Sequence, residues 1–411
     1  MPPRKQVESL EHMCFMVMAG TLHRLAVELE EEPESCQVSA EELSSTVASL
    51  PAVINENMIT KVIETIHQTV SRTRRTIGMR TCLEVLLQPH VQRLDLSGLF
   101  FKMRLPVAIN MTIRNVVREQ VGSMKNLMIL NMVSKCSDEI LCIVSQKCPN
   151  ITEVIVSISD LVTDEGLKAL ALGCPKLEKL GISKCWEVTT DGIAYALQYG
   201  KNLQKLQCDQ LGAVMINRFK KSNTTFKLTH FEQTQTLFEP QEEEIAWVGG
   251  ACPCLESASL FVDDESLALV PQLGDIRVLE IETSAILGNG FVKAITNLGV
   301  SLLTLQLNYE CVEFFLMWCH KLESVVLKAE LEFLTDQYLK RILAANPLTE
   351  AKRIIIASEK HVPLTLESVY RLMASCPSLE NLGISSWDIT EEEFFKIRDD
   401  VRKNNYNFMI S

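Results

Sequence analysis

Lys147-Cys148-Pro149-Asn150-Ile151-Thr152-Glu153-Val154-Ile155-Val156 and, 26 residues later, Gly173-Cys174-Pro175-Lys176-Leu177-Glu178-Lys179-Leu180-Gly181-Ile182 repeat one pattern. A Cys-Pro pair leads into an apolar residue, two free positions, an apolar residue, one free position and an apolar residue. Proline cannot continue a helix and holds the residue before it extended. A helix therefore stops at the cysteine and a strand follows. Side chains alternate faces along a strand, so the apolar positions turn into a core and the residues between them turn outward.

The strand segment recurs along most of the chain. Copies run from Val91 to Leu96, Leu127 to Met132, Ile151 to Val156, Leu177 to Ile182 and Leu203 to Cys208. A weak copy lies at Phe226 to Phe231. Six more follow at Leu255, Ile276, Leu302, Leu322, Ala351 and Leu379, the last ending at Ile384. Spacings are 20 to 29 residues except for the first, which is 36. Such a period marks a repeat architecture in which each unit buries its apolar face against its neighbours. Between copies, stretches such as Asp164 to Leu172 and Thr190 to Leu197 place apolar residues at helical spacing, with Asp164 or Thr190 at the expected N-cap. The expected fold is an α/β leucine-rich-repeat solenoid, a horseshoe with parallel strands on the concave face and helices outside. It would span residues 89–411 in about 12 repeats. A doubly wound α/β sheet is the rival, but Gly288-Asn289-Gly290 lacks the rest of a phosphate-binding fingerprint. Residues 212–250 are the most irregular, and the sequence leaves open whether they form a repeat or a loop.

The Cys-Pro joint recurs at Cys252-Pro253 and Cys376-Pro377, with Cys319-His320 as a proline-free variant. It resembles the cysteine-containing subclass of leucine-rich repeats found in substrate receptors of ubiquitin ligases. The joints account for many of the 14 cysteines as small buried residues.

Composition narrows the partners. The 411 residues carry a formal net charge of -12, which disfavours nucleic acid and an anionic membrane surface. The basic cluster Arg72-Thr73-Arg74-Arg75 is short and reads as a solvated helix face. No apolar run is long enough to span a bilayer, and Met1-Pro2-Pro3-Arg4-Lys5 does not open a signal peptide. The expected location is the cytoplasm, the nucleus or both. Metalloprotease, nucleophile-elbow and P-loop motifs are absent, and no catalytic residue, metal or cofactor is expected. The runs Glu242-Glu243-Glu244 and Glu391-Glu392-Glu393 read as solvated helix faces or helix N-terminal turns. Of Trp186, Trp247, Trp318 and Trp387, Trp186 and Trp387 follow similar strands. Two readings stand for them, packing at the repeat edge or aromatic anchors on the rim.

Residues 1–88 fall outside the period and read as helical. Ser9 to about Leu29 forms one helical stretch, with Leu10, Cys14 and Met18 in one stripe. An acidic linker, Glu30 to Ser35, follows. A second stretch starts at Leu50-Pro51, where Pro suits a first helical turn, with Ile54 and Met58 on one face. Residues 9–18 resemble a BC-box through Ser9, Leu10 and Cys14, with Met18 in place of the usual aliphatic. Residues 50–58 resemble a cullin-2 box through Leu50, Pro51, Ile54 and Met58. The order of boxes and repeats is similar to the ZYG/ZER group of VHL-box receptors, without that group's armadillo-like C-terminal half. The resemblance implies that the first box binds elongin C, which pairs with elongin B, and that the second contacts cullin-2. The chain would then be the substrate-recognition subunit of that ligase. The alternatives are an F-box receptor of a cullin-1 ligase, although the usual F-box ending is missing, and a leucine-rich-repeat scaffold outside ubiquitin transfer. The expected substrate contacts are the outward strand residues Glu178, Lys179, Gln204, Lys205, Gln207, Arg277, Glu280 and Gln306.

Overall fold

The computed structural model describes residues 10–31, 36, 38–69, 78–97, 107–209, 211–222, 224–233, 242–261, 264–282, 289–298, 304–307, 316, 319–328, 331–358, 361–403 and 409–410. Ser9, Trp318 and the Arg72 to Arg75 cluster lie outside them. The chain forms two compact units, Met1–Cys208 and Asp209–Ser411.

The first unit opens with four helices, α1 (Leu10–Glu31), α2 (Ala40–Ala48), α3 (Ala52–Thr69) and α4 (Met79–Leu86). Strands and helices then alternate: β1 (Arg93–Asp95), α5 (Val107–Gln120), β2 (Ile129–Asn131), α6 (Asp138–Lys147), β3 (Glu153–Ile155), α7 (Asp164–Gly173), β4 (Lys179–Gly181), α8 (Thr190–Tyr199) and β5 (Lys205–Gln207). Each strand pairs in parallel with the next, in the register Leu94, Leu130, Val154, Leu180, Leu206. That row is the buried middle position of the motif, each side chain contributing about 1.5–3 kcal/mol by burial.

The second unit continues with α9 (Leu211–Phe219), β6 (His230–Gln233), α10 (Glu242–Ala251), β7 (Ser257–Phe261), α11 (Asp264–Leu267), β8 (Val278–Glu282), α12 (Asn289–Leu298) and β9 (Thr304–Leu307). It ends with β10 (Ser324–Lys328), α13 (Asp336–Ala345), β11 (Arg353–Ala357), α14 (Leu366–Ser375), β12 (Asn381–Gly383), α15 (Glu391–Lys403) and β13 (Met409–Ile410). Its strands are also parallel, in the register Phe231, Ala258, Leu279, Leu305, Val325, Ile354, Leu382, Ile410. In each unit this is the leucine-rich-repeat fold.

Two strand assignments change. The weak copy is shifted by two residues: Phe231 pairs with Ala258, so the motif runs from Leu228 to Gln233. Phe226 and Leu228 are both buried, which made the earlier start look equally apolar. Residues 212–250 therefore contain a repeat strand. β13 is an additional strand, which lacks an apolar residue at its first motif position, Asn407.

The Cys-Pro joint is a rigid connector. At Cys148, Cys174 and Cys376 the backbone takes nearly one conformation, φ from -113 to -114 and ψ from 75 to 78. Each cysteine N–H closes its helix on the carbonyl four residues back, and each cysteine carbonyl accepts from the first apolar residue of the strand. All three thiols are buried, as are Cys252 and Cys319.

The helix caps stand one residue before their expected places. Thr163 and Thr189 cap α7 and α8, their hydroxyls accepting from Glu165 and Asp191 N–H. This frees the first-turn aspartates for the next repeat. Asp138 accepts from Thr163 N–H at 2.9 Å and Thr163 Oγ1 at 2.6 Å. Asp164 binds Thr189 in the same way, at 2.8 and 2.6 Å, and Asp336 binds Thr365 at 3.0 and 2.7 Å. Helix follows helix through this rung.

Candidate docking surfaces

α1 has two apolar faces. Phe15, Ala19, Leu22 and Ala26 recur every three or four residues and are buried, where α1 packs on α3 and α4. Cys14, Val17 and Met18 lie on the outside, Val17 being 69% exposed. Leu10 is the first residue of α1, one turn before Cys14. Two BC-box positions, Cys14 and Met18, are thus open to solvent. Val17, which the motif does not include, shares their face. Its spacing of three from Cys14 was the available signal.

α3 exposes residues at its start and buries Met58, Ile59, Val62 and Ile63. Pro51 is exposed, Val53 is 64% exposed, and Leu50 and Ile54 are half-buried. Met58 is only 3% exposed, so it packs the helical core and presents no surface to a partner. The buried Asn55 fixes this orientation, donating from Nδ2 to the Val47 carbonyl at 3.1 Å and lying 3.0 Å from His90 Nε2.

α3 also completes the first repeat. Glu56 Oε1 accepts from Gln92 and Arg93 N–H, at 2.9 and 3.0 Å. Further along the sheet the Gln92 carbonyl itself accepts from Met128 and Ile129. One carboxylate therefore does at β1 what the preceding repeat's backbone does elsewhere. A solenoid end needs such a cap, and here α3 supplies it. The outward stripe of α1 takes no part.

The second kind of surface is the outward strand face. In the first unit Lys179 and Lys205 are adjacent in register, as are Gly181 and Gln207. Lys179 is exposed, and Lys205 and Gln207 are half-buried. Glu178 and Gln204 are exposed one residue before their strands. Lys179 Nζ lies 3.4 Å from Glu153 Oε2. In the second unit Arg277 is exposed just before β8, Glu280 is half-buried within it, and Gln306 occupies the neighbouring register position on β9. The tryptophans divide. Trp387 is buried and donates from Nε1 to the Ile356 carbonyl at 2.8 Å, so it packs the edge and is no rim anchor. Trp247 is half-buried. Trp186 is 71% exposed in the loop after β4.

The joint thiols are chemically quiet. Burial pushes Cys174, Cys252, Cys319 and Cys376 up to about 12 and Cys148 up to about 11, so they stay protonated and weakly nucleophilic at neutral pH. Among the described residues no helix is long and apolar enough to cross a membrane, and no three His, Cys, Asp or Glu side chains gather to hold a metal ion.

No protein-family model matches the chain. A curated relative is the F-box protein SKIP1 of Arabidopsis thaliana, 28% identical over 99 residues. That stretch is 24% of this chain and spans 31% of the relative's length. Among solved structures, the crystal structure of Rad7 and Elc1 complex in yeast is similar at TM-score 0.47 and 15% identity, covering 95% of this chain and 84% of that one. A leucine-rich-repeat protein of Leptospira interrogans is similar at TM-score 0.26 and 14% identity, covering 79% of this chain and 96% of that one.

Proposed function

We propose that this chain is the substrate-recognition subunit of a ubiquitin ligase, held by elongin C with elongin B through α1 and by cullin-2 through the start of α3. The observation that carries the reading is the exposed stripe of Cys14, Val17 and Met18. The same helix buries a separate apolar face, and Glu56 of α3 caps the sheet. The stripe is therefore free for a partner, at the positions that resemble a BC-box. Cullin-2 contact would use Leu50, Pro51, Ile54 and the exposed Val53, without Met58. The subunit itself performs no chemistry. It holds a cytoplasmic or nuclear substrate on its strand faces and raises the effective concentration of a substrate lysine near the conjugating enzyme.

The test is capture of purified elongin B/C by the full chain and by the double variant Cys14→Asp, Met18→Asp. Wild type is expected to capture it and the variant to lose capture with an unchanged melting curve. Absence of capture by wild type, or full capture by the variant, refutes the reading. A second reading, an F-box receptor on a cullin-1 ligase, is favoured by the SKIP1 similarity and by the Leu50-Pro51 helix start. Recovery of a Skp-type adaptor in place of elongin would decide for it.

A further inference from the structure

We propose that the outward face of β3 to β5 binds an extended peptide segment carrying an acidic side chain at one end and a bulky apolar side chain at the other. The proposal rests on the reading above for the statement that this segment belongs to a ligase substrate.

Charge supports the acidic end. In a chain of formal net charge -12, Lys179 and Lys205 stand side by side on neighbouring strands. Glu153 answers Lys179 at 3.4 Å. Among the described residues Lys205 has no ion-pair partner. It is half-buried beside Gln207, where an anion would meet less solvent screening than on an open surface.

The apolar end is set by the opposite edge of the same strands. Trp186 is 71% exposed in the loop after β4, and Leu161 is exposed in the corresponding loop after β3. Tryptophan is, with Tyr and Arg, a residue type enriched among interface anchors. Between the two ends the face is low. Gly181 carries no side chain, and the half-buried Ser157 and Ser183 offer hydroxyls that bond to no other group among the described residues. Lys179 and Gly181 alternate with the buried Leu180 and so share the outward face of β4. Lys179 opens β4 and Trp186 follows its last residue by five, so the two anchors stand at opposite ends of one strand.

The experiment selects displayed random 12-residue peptides on the immobilised full chain and then measures a fluorescein-labelled consensus peptide by anisotropy. The expected consensus pairs Asp or Glu with Leu, Phe, Trp or Met at one constant separation. Lys205→Glu is expected to weaken the labelled peptide at least tenfold and Trp186→Ala at least fivefold, both with unchanged melting. No enrichment, a basic or purely apolar consensus, or wild-type binding by both variants overturns the proposal. Elongin B/C capture is measured on the same proteins. For the wild-type chain, no peptide enrichment with intact capture sinks this inference alone, and peptide binding without capture sinks only the ligase reading.

Discussion

Substituting Gly166 by Ala tests the inter-repeat rung. On helix propensity alone, Gly→Ala within a helix stabilises by about 1 kcal/mol. The structure predicts the opposite sign. A Cβ on Gly166 would stand 2.3 Å from Asp138 Oδ1 and 2.8 Å from Leu141 Cδ1. Leu141 can turn away, but Asp138 must leave its place and release both bonds to Thr163. Hydrogen bonds to a charged group are worth about 1.5–3 kcal/mol each, and the partly buried site places these near the low end. Subtracting the propensity gain leaves a loss of about 1–3 kcal/mol. Urea unfolding followed by circular dichroism reads this as a lower midpoint. The control is Asp138→Ala, in whose background Gly166→Ala has nothing to strike and is expected to be neutral or stabilising. A single variant Gly166→Ala more stable than wild type would refute the reasoning, as would equal effects in the two backgrounds.

Three other outcomes follow from single features. Ile158 holds φ 61, a region that costs a β-branched residue about 1–2 kcal/mol; Ile158→Asn should raise the melting temperature, and a fall would contradict that account. Burial pushes the Lys135 ammonium down to about 8, so the unfolded chain holds more protons than the folded one between about 8 and the ordinary lysine value. The buried joint thiols act with the opposite sign in the same range, so the lysine is read as a difference: across that window the urea midpoint should fall less steeply with pH in wild type than in Lys135→Met. Burial raises the Asp336 carboxyl, yet the hydrogen bonds from Ser368 and Thr365 outweigh it and hold the group below its ordinary value. Its stabilisation is complete above the unfolded carboxylate range and lost as pH falls through the folded value, so Asp336→Asn should flatten the acid limb of the stability curve.

What could be read from the chain separates by range of interaction. The strands were legible because alternation is local: Leu180 is buried and Lys179 exposed, whatever lies elsewhere. The Cys-Pro joint was legible because proline constrains its own neighbour. The cap of α7 was placed at Asp164 instead of Thr163 because the carboxylate serves Thr189, 25 residues on, and no local pattern announces that partner. β6 was displaced by two because Phe226 and Leu228 are both buried, and only pairing with β7 separates them.

The same division bears on function. Periodicity puts apolar residues on two faces of α1 and is silent about which face the fold consumes. Packing with α3 and α4 takes Phe15, Ala19, Leu22 and Ala26, and leaves Cys14, Val17 and Met18. On α3 it takes Met58, although the motif there reads as well as at Cys14. A motif residue can meet a partner only if the fold does not need it first. By that criterion the proposed adaptor contact keeps Cys14 and Met18, and the proposed scaffold contact narrows to Leu50, Pro51 and Ile54 with the exposed Val53.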